Sequence, residues 1–143
     1  MTLHREVHDH ILLYDLLLCF KASIMPRSLY SSIGGFSTIS KLVLSFYSKV
    51  LDSEQVAPYF ADVDMKKLID HQTKFICSLL GGPAHFTDAQ IRNAHSSIDV
   101  TNEAFDEIAM LFVEALNEAR LQPGDVEAIA RAFESKRSLI VMR

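Results

Sequence analysis

Two polar side chains interrupt the apolar face of a segment with helical periodicity. At helical spacing one face of this segment carries Leu68, His71, Gln72, Phe75 and Leu79. An imidazole and a carboxamide that face a core without partners cost about 1–3 kcal/mol each. His71 and Gln72 therefore indicate either a bound group on this face of the helix or a polar network within the core.

A second histidine and a tyrosine extend the pattern to two further predicted helices. Tyr47 shares a face with Ile39, Val43, Phe46 and Val50, and His95 shares one with Ile91, Ala94 and Ile98. Imidazole is a common axial ligand of haem iron. A flat apolar macrocycle would also account for the inward aromatic residues Phe46, Phe60, Phe75 and Phe112. Periodicity alone is equally compatible with a packed helical bundle that contains satisfied core histidines.

The elements that position these residues are predicted from breaks and caps. In the first half of the chain after residue 27 we expect a short turn at 28–33, a helix at 36–51, a corner at 55–60 and a helix at 64–80. A short helix after Thr87 is expected to carry His95. It is followed by a helix from Thr101 to about Arg120 and a last helix from Pro123 that includes Leu139 and Ile140. Asp52-Ser53 is expected to cap the corner at 55–60, and Asp62 or Asp64 is expected to cap the helix at 64–80. Thr87 and Gln90 form a capping box. No alternating strand pattern is present, so the chain is predicted to be all-α.

Composition limits the class of protein. The chain has 143 residues, 49% of them hydrophobic, which is the size of one globular domain with a real core. A net charge of −4 without a basic cluster argues against nucleic-acid binding. Cys19 and Cys77 form no metal or disulfide pattern and are expected to be reduced, buried thiols, consistent with a cytoplasmic location.

Residues 1–27 are predicted to be a helical N-terminal extension, and residues 28–143 the folded domain. The run from His10 to Phe20 is apolar, but it is interrupted by Asp15 and is shorter than the ~20 apolar residues of a membrane span. A signal peptide has a basic segment followed by a purely apolar one, whereas this segment has acidic residues in those positions. Organelle targeting by residues 1–24 is left open. His4, His8 and His10 lack further metal ligands, so a helix that covers apolar surface is the preferred interpretation.

Several short motifs recur in a specific order along the chain. They are Ile33-Gly34-Gly35, Phe46-Tyr47, the corner from Tyr59 to Met65, His71-Gln72, Leu80-Gly-Gly-Pro83, Phe86-Thr87 and Ala94-His95. On these motifs the chain from about Leu29 to Val141 resembles the first group of the truncated haemoglobins. The resemblance implies a two-over-two helical sandwich around non-covalently bound haem b.

The resemblance also implies roles for individual residues. His95 matches the proximal iron ligand, Tyr47 the distal tyrosine that donates to the bound gas, and Gln72 a distal amide in the same network. Haem contacts are implied for Phe46, Phe60, Leu68, Phe75, Phe86, Arg92 and Ile98. Arg92 is placed to pair with a haem propionate, with an ordinary solvated arginine as the alternative, and Leu68 is unable to donate a hydrogen bond. Phe86 stands where many relatives have tyrosine, which removes one propionate contact.

Two features of the resemblance concern the iron and its attachment. In some cyanobacterial members a histidine at the position of His71 binds iron as a sixth ligand, and for this chain both outcomes are left open. Some of these relatives link a histidine of the last helix to the haem vinyl group. Ser135 occupies that position here, and no covalent link is expected.

Four functions are compatible with these residues. The first is reversible binding of dioxygen, nitric oxide or carbon monoxide, and the second is oxidation of nitric oxide to nitrate with a reductase partner. The third is redox or sensing chemistry with His71 and His95 both on iron, and the fourth is a haem-free interaction module. The implied partners are diatomic gases and a reductase, not nucleic acid or a membrane, and the chain is expected to be a monomer or a weak homodimer.

Overall fold

The computed structural model describes residues 28–141, and within that range all regular structure is helical. The elements are α1 (Leu29–Ser32), α2 (Gly35–Asp52), a 3-10 turn (Ala57–Phe60), α3 (Met65–Leu79), α4 (Asp88–His95), α5 (Asn102–Glu118), α6 (Pro123–Glu134) and α7 (Arg137–Ile140). The predicted all-α class is confirmed. The expectations for residues 1–27, including their helix and the histidines His4, His8 and His10, lie outside the described residues, and the boundary between extension and domain stays a prediction.

Side-chain caps begin three of the helices at the predicted places. Asp64, rather than Asp62, accepts from the backbone N–H of Lys67 at 3.3 Å at the start of α3. At the start of α4 the Thr87 hydroxyl accepts from the Gln90 N–H at 3.2 Å, and the Gln90 side chain accepts from the Thr87 N–H at 2.9 Å. The Thr101 hydroxyl caps α5 in the same way, accepting from the N–H of Ala104 at 3.1 Å. Each cap satisfies a backbone donor that the first helical turn leaves unpaired.

Two local expectations were wrong. Ser53 does not cap the 3-10 turn, which has no side-chain cap; its hydroxyl instead donates to a carboxylate oxygen of Glu107 on α5, at 3.1 Å. Leu139 and Ile140 do not continue α6 but lie in α7, after a break at residues 135–136. This break allows Arg137 to turn back and hydrogen-bond the Asn102 side chain on α5 at 3.2 Å. In both cases a partner on a distant helix replaced the local contact.

Two helix pairs form two layers around the core, as the resemblance implied. Helix α2 packs on α3 and on α5, and α5 packs on α6. Lys49 on α2 fastens the layers by donating to Glu118 on α5 at 2.6 Å. The largest fully buried side chains come from α2, α5 and α6 and the loop after α2: Ile39, Val43, Val50, Val56, Phe105, Phe112, Leu116 and Ile129. Burial of each large apolar side chain contributes about 1.5–3 kcal/mol to the free energy of unfolding, so the packing of these side chains holds the two layers together.

The buried face of α3 is displaced from the stripe in which His71 and Gln72 lie. Its buried residues are Thr73, Ile76 and Cys77, and the Thr73 hydroxyl donates to the carbonyl of Ile69 at 2.7 Å. Burial raises the pKa of the Cys77 thiol, which is consistent with an inert packed cysteine. The stripe that contains His71 and Gln72 therefore lies beside the face by which α3 packs on the other helices, and it is free to face a cavity.

No helix in residues 28–141 has both the length and the apolar character needed to cross a bilayer.

Candidate functional site

A cavity of about 680 Å³ lies between the two helical layers and α4. Most of its wall is apolar, and a few polar side chains converge on it, which is the usual make-up of a small-molecule site. Ten of the eleven residues proposed from the sequence line it: Phe46, Tyr47, Phe60, Leu68, His71, Gln72, Phe75, Phe86, His95 and Ile98. The tertiary structure thus brings together residues that come from four separate elements of the chain and the loops that join them.

Tyr47 presents a hydroxyl to the cavity from the middle of α2. The residue is 6% exposed, and no residue in the range 28–141 forms a hydrogen bond with its hydroxyl. Burial raises the pKa of this phenol well above its usual range, because the charged form would lose its hydration. The hydroxyl is therefore a neutral donor without a partner, although buried tyrosine hydroxyls ordinarily have one.

Gln72 and His71 reach the cavity from consecutive positions of α3. Gln72 is half-buried and lines the wall, and its carboxamide has no hydrogen-bond partner among the described residues. His71 is exposed, and its ring meets the ring of Phe86 edge-on, with the centroids 5.3 Å apart. The ring centroid of Phe86 in turn lies 5.9 Å from that of Phe75, one turn further along α3. The imidazole thus lies at the rim of the cavity against an aromatic neighbour.

His95 is the last residue of α4, and its imidazole is oriented by the helix itself. Its Nδ1 lies 2.7 Å from the backbone carbonyl oxygen of Ile91, one turn earlier. A carbonyl oxygen only accepts, so Nδ1 carries the proton and donates. The lone pair is then on Nε2, which is the arrangement of a metal-ligating histidine. Ile91 is itself buried and lines the same cavity, so the orienting carbonyl belongs to an anchored residue.

Arg92 differs from the other proposed site residues. Its side chain is exposed, and it does not belong to the cavity wall. Its pairing with a propionate stays a prediction, since a propionate at the mouth of the cavity would lie beyond the wall residues.

Other wall residues were not singled out from the sequence as site residues. They include Gln90 and Asn93 on α4, Tyr59 from the corner, and a group from α5 to α7 formed by Ala104, Phe105, Ile108, Phe133 and Ile140. The apolar members have the same helical spacing as core residues, so periodicity could not separate them from the core. Gln90 and Asn93 could have been found by their spacing of three, which places them on one side of α4.

One arrangement behind the wall had no signal in the sequence. The guanidinium carbon of Arg137 lies 4.4 Å from the centroid of the Phe105 ring, and Phe105 stacks on Phe133 with centroids 5.4 Å apart. Both rings line the cavity. Arg137 also bridges Asp106 on α5 and Glu134 on α6, and these carboxylates raise its pKa. The wall formed by α5 and α6 is thus fixed by one arginine on α7.

Comparisons with known proteins agree with this geometry. The bacterial-like globin family model matches residues 28–141. A group 1 truncated haemoglobin of Tetrahymena pyriformis is 31% identical over 112 residues, which make up 78% of this chain and 93% of that protein. The crystal structure of the Tetrahymena pyriformis truncated haemoglobin in its Fe(III) form has 29% identity and a TM-score of 0.76, and covers 82% of this chain and 100% of that one.

A cyanobacterial structure is similar to the same extent. The 2/2 haemoglobin of Synechococcus, solved in the cyanomet state with covalently attached haem, has a TM-score of 0.77 and 29% identity. It covers 82% of this chain and 100% of that one. The match to the family model over the whole described range, together with these relatives, shows that the chain belongs to the truncated haemoglobins of group 1.

Proposed function

We propose that the cavity holds haem b without a covalent bond, and that the chain reversibly binds dioxygen and other diatomic gases such as nitric oxide and carbon monoxide. Membership of the truncated haemoglobins supports haem-based gas binding in general. The choice of dioxygen as the main ligand rests on the donors Tyr47 and Gln72.

The wall of the cavity fits a flat, largely apolar cofactor. Its volume of about 680 Å³ is within the range of ~300–1,000 Å³ found for small-molecule and cofactor sites. Phe46, Phe60 and Phe75 supply aromatic surface. Among the described residues no three His, Cys, Asp or Glu side chains come together to hold a metal ion. A single imidazole such as His95 suits a metal that arrives within a macrocycle, because the macrocycle supplies the other ligands.

The orientation of His95 is the observation that carries the proposal. Its Nδ1 is occupied by the carbonyl of Ile91, so its Nε2 is the atom that would hold the haem iron. When bound, haem iron supplies the coordination position at which a diatomic gas binds. The hydrogen bond to a carbonyl also restrains rotation of the imidazole, so less entropy is lost when Nε2 binds.

Tyr47 and Gln72 supply the donors for the gas. Both line the cavity, and neither has a hydrogen-bond partner among the described residues. Dioxygen held in the cavity would carry partial negative charge, so the neutral hydroxyl of Tyr47 and the amide N–H of Gln72 would stabilise it by about 1 kcal/mol each. Leu68 lines the same wall and has no donor. This combination favours dioxygen over carbon monoxide, which accepts hydrogen bonds less strongly.

His71 supports a second candidate function, in which two histidines bind the iron and the protein acts in redox chemistry or sensing. The imidazole of His71 lines the cavity, contacts the ring of Phe86 and has no hydrogen bond to any described residue. Coordination by His71 would fill the position that the gas requires. The two candidates therefore predict different spectra for the same protein.

Absorption spectroscopy of the haem-loaded full chain tests both candidates. Gas binding predicts a high-spin ferric spectrum and an immediate change of the ferrous spectrum when carbon monoxide is added. A low-spin ferric spectrum that becomes high-spin in His71→Leu would favour the second candidate. His95→Ala is expected to abolish stable haem binding, whereas His85→Ala, an exposed histidine outside the wall, is the matched control. Unchanged haem content in His95→Ala would contradict both candidates.

The same two donors would also position dioxygen for the oxidation of nitric oxide to nitrate, in which dioxygen would be the oxidant and ferrous iron would give up one electron. Rapid mixing of the oxygenated protein with nitric oxide, followed by nitrate measurement, tests it directly. Turnover would further require a reductase that returns the iron to the ferrous state. Nitrate formed in a single turnover without reductase would show that this chain contributes the oxidation step itself.

A further inference from the structure

The helix that carries His95 has little buried surface. Ile91 is the only buried residue of α4, and a helix of about two turns is not stable by itself in water. Among the elements of residues 28–141, α7 is the one on which α4 packs most extensively. The position of His95 in the cavity wall therefore depends on α7, which has only four residues.

Helices α4 and α7 bury apolar side chains outside the main core. Ile91 on α4 is 5% exposed and Leu139 on α7 is 8% exposed, but neither belongs to the cluster that the other buried apolar side chains of the described chain form. Ile140, also on α7, lines the cavity together with Ile91. The packing of α4 on α7 is thus a separate small contact beside the cavity, distinct from the contact between the two layers.

Arg137 joins α7 to the two layers. Its guanidinium pairs with Asp106 on α5 and with Glu134 on α6, and it donates to the side chain of Asn102 at 3.2 Å. Three groups on two helices therefore hold the first residue of α7. Because α7 is fixed to α5 and α6 in this way, it can serve as a support for α4.

An ion pair connects this support with the beginning of α4. The Nζ atom of Lys136, the residue before α7, lies 3.5 Å from a carboxylate oxygen of Asp88, the first residue of α4. The side chain of Lys136 is only 26% exposed. Asp88, Ile91 and His95 follow one another at spacings of three and four residues, so they share one side of α4. The ion pair thus holds the side of the helix that carries the imidazole, two turns away.

We propose that Lys136 is a positioning residue, which holds α4 on α7 through Asp88 and thereby restricts where Nε2 of His95 lies. The inference rests on the proposed function, in which that atom would hold the haem iron. The hydrogen bond between Nδ1 and the carbonyl of Ile91 orients the ring relative to α4, whereas Lys136 holds α4 relative to the cavity. Because partly exposed ion pairs add little to global stability, the effect is expected in α4 rather than in the whole fold.

Hydrogen exchange of the full chain, as purified, tests the hold on α4. Lys136→Met removes the charge and retains the aliphatic stem. The backbone amides of residues 88–95 are expected to exchange about two- to fivefold faster in this variant, which corresponds to the loss of one partly exposed ion pair. Lys136→Arg retains the charge and is expected to restore the wild-type rate. Mass spectrometry of peptides that cover α4 measures these rates.

Lys49→Met is the matched control. The side chain of Lys49 is 22% exposed and also pairs between two helices, with Glu118 at 2.6 Å, but it joins α2 to α5. This variant is expected to leave exchange in residues 88–95 at the wild-type rate. Equal acceleration in Lys49→Met and Lys136→Met would overturn the proposal, since it would reflect a general loss of stability. A wild-type rate in Lys136→Met would overturn it as well.

Asp88→Asn tests the partner of Lys136. This substitution also removes a negative charge from the N-terminal turn of α4, where such a charge stabilises a helix by itself. Faster exchange in Asp88→Asn is therefore expected but not specific. The specific result is that Lys136→Met, added to Asp88→Asn, causes no further acceleration. A further two- to fivefold acceleration would show that Lys136 acts through another group, and it would overturn the assigned pair.

The iron–histidine stretching band in the resonance Raman spectrum tests the link to His95. It is recorded for the haem-loaded, ferrous, gas-free full chain in the His71→Leu background, so that His71 does not bind the iron. Lys136→Met is expected to broaden this band, because α4 then occupies a wider range of positions, whereas Lys49→Met is expected to leave it unchanged. A band of unchanged width and frequency in Lys136→Met would overturn the positioning of His95. Failure of the wild-type chain to bind haem would instead contradict the proposed function, and the exchange rates would still decide whether Lys136 holds α4.

Discussion

The ring of Tyr47 meets the ring of Phe60 edge-on, with their centroids 5.8 Å apart and the planes inclined by 79°. The ring centroid of Phe46 lies 4.9 Å from that of the tyrosine, again in an edge-on arrangement. Edge-on aromatic pairs are favourable and directional, so these two phenylalanines hold the phenol in one orientation. Because the ring is held by apolar packing, its hydroxyl remains available to a ligand in the cavity.

Tyr47→Phe is expected to accelerate dioxygen release about five- to tenfold. The substitution preserves the ring packing and removes a donor worth about 1–1.5 kcal/mol to a partly negative ligand. Stopped-flow displacement of dioxygen by carbon monoxide measures this rate. The rate of carbon monoxide release should change far less, because carbon monoxide accepts hydrogen bonds only weakly.

Tyr59→Phe is the matched control for that experiment. Tyr59 also lines the cavity, but its hydroxyl donates to the backbone carbonyl of Asp99 at 3.1 Å. We expect unchanged gas kinetics and a loss of about 1 kcal/mol in the free energy of unfolding, because an internal hydrogen bond is removed. Equal dioxygen release in Tyr47→Phe and the wild-type protein would contradict the assigned role of Tyr47.

Tyr47 also predicts how stability depends on pH. Burial raises its pKa in the folded state, whereas the unfolded chain releases the same proton at a pH of about 10. Above that value the folded state binds more protons than the unfolded state, so the free energy of unfolding falls as pH rises. The fall from this group is about 1.4 kcal/mol per pH unit and is absent below its usual pKa. Urea unfolding at about pH 8 and pH 11 should show a smaller loss for Tyr47→Phe than for the wild type.

Arg137→Ala is expected to lower the free energy of unfolding by about 1–3 kcal/mol. The side chain is 26% exposed, bridges Asp106 and Glu134, and covers the Phe105 ring. Charge-assisted hydrogen bonds in such a network and the loss of packing by the stem account for this size. Arg131→Ala is the control, because its ion pair to Glu127 is highly exposed and should contribute less than about 0.5 kcal/mol. Equal effects of the two substitutions in urea titrations would contradict a special role of Arg137.

Haem is expected to leave the protein completely on extraction with acid butanone. The last two helices contain no histidine, and the Ser135 hydroxyl donates to the carbonyl of Ala132 at 2.6 Å. The Synechococcus structure, in contrast, has covalently attached haem. Mass spectrometry of the extracted chain should give the mass of the polypeptide alone. Haem retained after extraction would require a nucleophile other than a last-helix histidine.

Helix type and most helix ends could be predicted because their causes are local. Asp64, Thr87 and Thr101 cap the helices that they precede, and Gly81 takes a positive φ of 83° after α3. Ser53 was assigned wrongly, since a hydroxyl can bond either to its own turn or to Glu107 across the fold. A local pattern contains no information about that competition.

The candidate site was predictable for the polar residues and only partly for its wall. By itself the sequence determined the all-helical class, the caps Thr87 and Thr101, and the four polar side chains Tyr47, His71, Gln72 and His95 on apolar faces, since these follow from residue type and spacing. Only the tertiary structure decided which side chains face a cavity rather than the core. It left the Tyr47 hydroxyl without a partner among the described residues and turned Nδ1 of His95 to the carbonyl of Ile91. It also placed Arg92 outside the cavity wall and set Arg137 against the ring of Phe105. The reason is that an apolar residue has the same helical spacing whether it packs on protein or on a ligand, and the choice depends on contacts between helices distant in sequence.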